Sequence, residues 1–234
     1  MDPVAVCTDA VAAWHAAWLK SLGIPSERRD GVWLALGRAP LMYFHGITLS
    51  SDAQIADALG SICDSWQTHD LRAQGFRISR KEPWFHRGAA PLPHEPAPPE
   101  LEVVRVSTPE EVLEFEEVSV RGFGGEGARI EPGSSHPPSI LSDSAMAMFI
   151  GRVDGKGVAA AMGYPTEHAV GVFGVTTVEP ARRRGYGTAV TRAAMLTETG
   201  KPSILAPSDE AESMYRRLGY REVGELAIWS PKGP

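Results

Sequence analysis

The sequence has little cysteine and no long apolar run, and each scarcity excludes a class of protein. Only two cysteines occur, Cys7 and Cys63, and they lack the C-x-x-C spacing of a thiolate metal site. Neither a disulfide scaffold nor a structural zinc site is therefore expected. No apolar stretch is as long as a membrane-spanning helix, and the N-terminus lacks the basic cluster of a secretory signal. We expect a protein of the reducing cytoplasm.

Positive charge is also in short supply. The chain has 23 basic and 29 acidic residues, which gives a formal net charge of −6. Proteins that bind nucleic acids gain affinity by neutralising phosphates, so this balance argues against a nucleic-acid partner. It favours small neutral or cationic partners. The histidines form neither an H-E-x-x-H motif nor a pair four residues apart, so we expect no catalytic metal.

A proline-rich segment divides the chain. Residues 88–100 read GAAPLPHEPAPPE and contain five prolines, which suit neither a helix interior nor a central strand. We interpret this segment as a semi-rigid linker, with one long surface loop as the alternative. The predicted organisation is an N-terminal α/β lobe at 1–87, a linker at 88–100 and a second domain at 101–234.

The N-terminal lobe shows alternating helix and strand patterns. Five of the six tryptophans fall in it, as core residues or as an aromatic substrate wall. The predicted elements are a helix with Cys7, Val11, Trp14 and Trp18 on one face, strands at Val32–Leu36 and Leu41–Leu49, and a helix from Ser51 with Ile55, Leu59 and Ile62 on one side.

The second domain begins with a strand and a capped helix. Thr108 and Glu111 form a capping box, and we interpret the acids Glu114, Glu116 and Glu117 as a solvated helix face. A glycine-rich loop at 122–133 follows. The remaining predicted strands are Leu101–Val106, Ala145–Val153, Val158–Tyr164 and Val170–Val178, with a hairpin turn at Asp154-Gly155.

The stretch after the last of these strands predicts an anion site. Arg182, Arg183 and Arg184 stand in a row before Gly185 and Gly187, at the expected start of a helix. Two glycines let backbone N–H groups converge, and the positive end of the helix points at the same place. Arginines around it suit a diphosphate better than a single carboxylate.

At these residues the sequence resembles the GNAT superfamily of N-acetyltransferases. Residues 182–187, RRRGYG, match the family's pyrophosphate pattern Q/R-x-x-G-x-G/A. Residues 208–220, SDEAESMYRRLGY, are similar to its second motif, N-x-x-A-x-x-L-Y-x-x-L-G-F, with Ser208 in place of Asn and Tyr220 in place of Phe. The resemblance covers Leu101 to Pro231. It implies an α/β fold with a central mixed, mostly antiparallel sheet flanked by helices.

The resemblance also implies an activity and site residues. The activity is direct transfer of an acetyl group from acetyl-coenzyme A to a primary amine of a small molecule or peptide. Tyr215 takes the position of the acid that protonates the departing thiolate, and its alternative role is packing on the sheet. The implied cofactor contacts are Val175, Thr177 and Val178 on the third strand, Arg183, Arg184, Gly185, Tyr186, Gly187 and Thr188 around the pyrophosphate, and Ser208 on the pantetheine arm.

Two further assignments remain open. An amine must lose a proton before it attacks, and Glu167 is our candidate base, with His168, Glu117 and His136 as alternatives. The N-terminal lobe is interpreted as a degenerate copy of the second domain, because residues 71–76 echo 215–220. A coenzyme A sensor without turnover, or an acyltransferase for longer acyl chains, is the alternative function.

Overall fold

The computed structural model describes residues 2–40, 43–55, 59–92 and 95–232, and in it the chain is a mixed α/β protein. Its helices are α1 (Pro3–Ser21), α2 (Pro109–Gly124), α3 (Tyr186–Met195) and α4 (Glu212–Arg217). Its strands are β1 (Ser26–Arg29), β2 (Val32–Ala35), β3 (Gly46–Thr48), β4 (Ile62–Asp64), β5 (Phe76–Arg87), β6 (Glu102–Arg105), β7 (Ala147–Val153), β8 (Lys156–Pro165), β9 (Val170–Thr177), β10 (Ser203–Leu205) and β11 (Arg221–Pro231).

Contacts group the chain into two units, residues 1–87 with 204–234 and residues 88–203. The division expected from the sequence shares the boundary at residue 88 and differs over 204–234, which it assigned to the second domain. The physical reason is β11. This strand pairs antiparallel with β5 along most of its length and with β4 on its other edge.

The first unit is built on a sheet of order β1-β2-β3-β4-β11-β5-β10. Strands β1 and β2, β2 and β3, β4 and β11, and β5 and β11 pair antiparallel, while β3 and β4 run parallel. Helix α1 packs on this sheet, and the predicted helix face is confirmed, because Cys7, Val11, Trp14 and Trp18 are all buried. Trp14, Trp18, Trp33 and Trp84 are buried and serve as core residues.

The helix predicted from Ser51 is wrong for the residues that the structure describes. Residues 51–55 form a turn and irregular chain, and residues 56–58 lie outside the described residues. Ile62 belongs to β4, which is buried between two partner strands. The apolar spacing was therefore not one helix face, and Leu59 is 57% exposed. Of the strand predicted at 41–49, β3 forms at 46–48, while 41–42 are not described.

The segments that lead into β5 and β11 resemble each other. Gly75 and Gly219 both have left-handed backbones, with φ of 85° and 91°, and each is followed by a buried aromatic and a long strand. The two strands, β5 and β11, then pair with each other. The similarity of these two segments supports the interpretation of an internal repeat, which stays a prediction.

The second unit has the sheet order β9-β8-β7-β6, with antiparallel pairing throughout. Helices α2 and α3 pack against this sheet. The predicted capping box at Thr108 and Glu111 is confirmed. So is the hairpin turn, where Asp154 and Gly155 both adopt positive φ. Across both units, no helix of the described residues has the length and apolarity to span a membrane.

Candidate functional site

Strand β9 carries a bulge at the position where the site was predicted. Ala160 pairs with Thr176 and Met162 with Phe173, so Gly174 and Val175 together face one residue of β8. Gly174 has φ of 59°, a left-handed conformation that favours glycine. A bulge disrupts the ladder and leaves one residue unpaired. Backbone groups around Val175 are thereby released from pairing with β8.

The chain beyond β9 is fixed by backbone and arginine contacts. The Val178 amide donates to Val158 O at 3.0 Å. The Arg182 guanidinium donates to Thr177 O at 3.1 Å and to Gly122 O at 3.0 Å. Arg182 thus ties the end of β9 to the end of α2. It is not the mobile charge that the arginine row suggested, which leaves Arg183 and Arg184 for a ligand.

The predicted turn forms a cradle of unsatisfied backbone donors. Arg183 and Gly185 have left-handed backbones, with φ of 62° and 83°, and Gly185 caps α3 without any side-chain cap. Among the described residues, none accepts a hydrogen bond from the amides of residues 183–188. A non-glycine residue with positive φ is uncommon and points to a functional constraint.

This cradle fits a diphosphate. The first amides of a helix have no intrahelical partners, and the helix dipole adds positive potential at the same end. Arg183 and Arg184 are exposed beside it, with two guanidinium groups available to phosphate oxygens. Over the described ranges, no cluster of three or more potential ligands could hold a metal ion.

Tyr215 and Ser208 lie in the first unit. Tyr215 is in α4 and 5% exposed, and its ring meets the Tyr220 ring edge-on at 5.8 Å. Those contacts supply the packing role, and the acid role stays a prediction. Ser208 is exposed ahead of α4, and its carbonyl accepts a hydrogen bond from the Ala211 amide at 2.9 Å.

Glu167 is an exposed carboxylate at the turn between β8 and β9. Its side chain is 86% exposed and lies 3.9 Å from His168 Nε2. Apart from His168, no hydrogen-bond or ion-pair partner of the Glu167 carboxylate is found among the described residues. As a base, Glu167 would therefore act from the solvent-exposed surface and not from within a pocket.

Glu116 is the site feature that the sequence interpretation missed. We expected a solvated acid, but Glu116 is 1% exposed. Its carboxylate accepts hydrogen bonds from the amides of Gly133, Ser135 and His136 and from the Ser135 hydroxyl, at 2.5–3.0 Å. The signal was present, because Glu116 lies four residues after Val112 and next to Phe115, on the buried face of α2.

Glu116 also orients His136 through Ser135. Because the Ser135 hydroxyl donates to Glu116, it accepts from His136 Nδ1 at 2.9 Å, which assigns the proton to Nδ1. Burial lowers the pKa of His136 to about 4, although the Glu116 charge opposes this. The ring is therefore neutral near pH 7, and the loop around it is held in place by one carboxylate.

Replacing that carboxylate tests the loop anchor. In Glu116→Gln the amide NH₂ faces backbone donors that need an acceptor, so we expect a loss of about 2–4 kcal/mol in the free energy of unfolding. Glu117→Gln is the matched control. Glu117 is 68% exposed and pairs with Arg121 at 3.5 Å, so its change should stay within about 0.5 kcal/mol. Equal urea unfolding midpoints for both variants would show that Glu116 does not stabilise the loop at 133–136.

Comparisons with known proteins found similar chains among solved structures. No family model and no curated protein matches the sequence. Among solved structures, the chain is similar to a GCN5-related N-acetyltransferase from Kribbella flavida, with a TM-score of 0.64, 19% identity and 96% of both chains covered. It is also similar to a GCN5-related N-acetyltransferase from Sphaerobacter thermophilus, with a TM-score of 0.54, 15% identity and coverage of 74% of this chain and 60% of that one.

At 19% and 15% identity, the similarity to these structures shows the fold. Three features were observed directly in this chain and do not depend on the comparison. They are the strand order of the second unit's sheet, the bulge in β9 and the cradle before α3. The predicted resemblance is confirmed at that level: the chain has the fold of the GCN5-related N-acetyltransferases.

Proposed function

We propose that the protein transfers the acetyl group of acetyl-coenzyme A directly to a primary amine of a small molecule or peptide. The observation that carries the proposal is the cradle at residues 183–188, whose amides find no acceptor among the described residues. A dinucleotide-like carrier with two adjacent phosphates meets both the orphan donors and the two exposed arginines.

Each predicted contact has a defined task in this proposal. The amides of residues 183–188 and the Arg183 and Arg184 side chains bind the diphosphate, and Val175, Thr177 and Val178 offer backbone groups to the pantetheine arm. Ser208 offers a hydroxyl. Acetyl-coenzyme A supplies the activated thioester. Tyr215 donates a proton to the departing thiolate by general acid catalysis.

The acceptor must be neutral when it attacks. An alkylamine of pKa about 10.4 is mostly protonated at pH 7, and its deprotonation costs about 4.6 kcal/mol. Glu167, open to solvent, is our proposed route for that proton to leave, directly or through water. The protein's net charge of −6 suits an acceptor that arrives as a cation.

Binding and turnover test the proposal separately. Calorimetric titration with acetyl-coenzyme A should show one site per chain, and an assay of free thiol against a panel of amines should show release with at least one acceptor. Binding with no release for any acceptor would favour a sensor. Faster release with longer acyl chains would favour the broader acyltransferase. Absence of binding would remove the proposal.

A further inference from the structure

The end of the proline-rich segment lies against the cradle. We call residues 95–100 the linker strap. Pro98 Cγ lies 3.4 Å from the point where a Cβ on Gly185 would sit. The Pro98 carbonyl accepts a hydrogen bond from the Leu101 amide at 2.9 Å, and Leu101 is buried. The strap is thereby anchored immediately before β6, with its last residues over the N-terminus of α3.

The strap carries an acid into this place. Glu100 Oε1 accepts a hydrogen bond from the Tyr186 hydroxyl at 2.7 Å. Tyr186 is the first residue of α3, is 1% exposed, and belongs to the cradle. The hydrogen bond from Tyr186 is the largest of the contributions that lower the pKa of Glu100, so the carboxylate is ionised at neutral pH.

The carboxylate lies where it opposes an incoming anion. Glu100 is hydrogen-bonded to the side chain of a cradle residue, and a carboxylate beside the cradle repels a phosphate. The Arg184 charge attracts the Glu100 carboxylate and contributes to its lowered pKa. Glu95, which is 63% exposed, lies 3.9 Å from Arg192 of α3 and brings a second acid of the strap to this helix.

We propose that Glu100 is an affinity-determining residue that weakens the binding of the phosphate carrier, because its carboxylate stands beside the cradle. The negative charge of Glu100 opposes the diphosphate that Arg183 and Arg184 attract. This inference rests on the proposed function, because it takes coenzyme A as the carrier. The Glu100 charge sets how tightly the carrier is held, and therefore how readily it leaves.

Glu100→Gln tests this with a change of charge alone, because the amide oxygen still accepts from Tyr186. The dissociation constant of coenzyme A, measured by calorimetry, should fall by about two- to fivefold, as expected for one exposed charge. Raising the salt to about 0.5 M should reduce the difference. Pantetheine, which lacks the phosphates, should bind both proteins equally. Glu102→Gln, an exposed acid on β6, is the control and should leave both affinities unchanged.

The possible outcomes distinguish the role of Glu100 from the proposed function on which it rests. If the wild-type protein binds no coenzyme A, both fail. If it binds coenzyme A and Glu100→Gln binds it no more tightly, the proposed function stands and the role of Glu100 is overturned. An equal gain for pantetheine would also overturn it, since the effect would not act through phosphate.

Discussion

Tyr215→Phe is expected to lower turnover by about 10²- to 10⁴-fold, the range for loss of a general acid. Without the phenol the thiolate must leave unprotonated or wait for water. The affinity for coenzyme A should change by less than about twofold, because no binding contact is assigned to that hydroxyl. Single-turnover thiol release and calorimetry, run on the same preparations, give the two quantities separately.

Tyr220→Phe supplies the matched control for this variant. Tyr220 is 2% exposed and in edge contact with Tyr215, so both changes remove a hydroxyl from one aromatic pair. If packing were the sole role of Tyr215, the two variants would keep similar turnover. Wild-type turnover in Tyr215→Phe would eliminate the acid and leave the packing role that the contacts already supply.

Acid should destabilise both units through buried neutral histidines. Burial lowers the pKa of His15 and of His136 to about 4, and the two residues lie in different units. An unfolded chain restores a pKa near 6.5, so it binds more protons than the folded one between these values. Each histidine should then remove about 2 kcal/mol of stability between pH 7 and pH 5, and about 3 kcal/mol by pH 4.

The sign of this effect follows from the lowered pKa values. The stability is complete above the unfolded pKa and is lost as the pH falls towards the folded one. Urea unfolding at pH 7.0, 6.0 and 5.0 should show midpoints that fall steadily, in two transitions if the units unfold separately.

Single variants assign the acid response to its source. His15→Phe should flatten the pH dependence of its unit, even if the variant is less stable overall, because the buried proton acceptor is gone. A slope that His15→Phe does not change would assign the acid sensitivity to other groups.

The parts predicted from the sequence are those governed by neighbours in the chain. The capping box of α2, the turn at Asp154-Gly155 and the cradle at residues 183–188 each depend on a few consecutive residues with special backbone needs. Because a short motif contains all the residues that such an element needs, these elements form at the predicted positions.

The parts that were missed depend on distant partners. Ile62 fits a helix spacing, yet its strand is fixed by β3 and β11, the latter about 160 residues further along the chain. Glu116 is buried because the loop at 133–136 folds back on it. The bulge at Gly174 left a trace, a glycine inside a strand pattern, but its register requires β8.

The position of β11 has a consequence for handling the protein in pieces. A fragment that starts after the prolines would carry an eleven-residue strand whose two neighbours, β4 and β5, stay behind on the other fragment. Its free edges would invite association with any available strand. Proteolysis within the prolines should therefore nick the chain without releasing either piece, and the two fragments should co-purify.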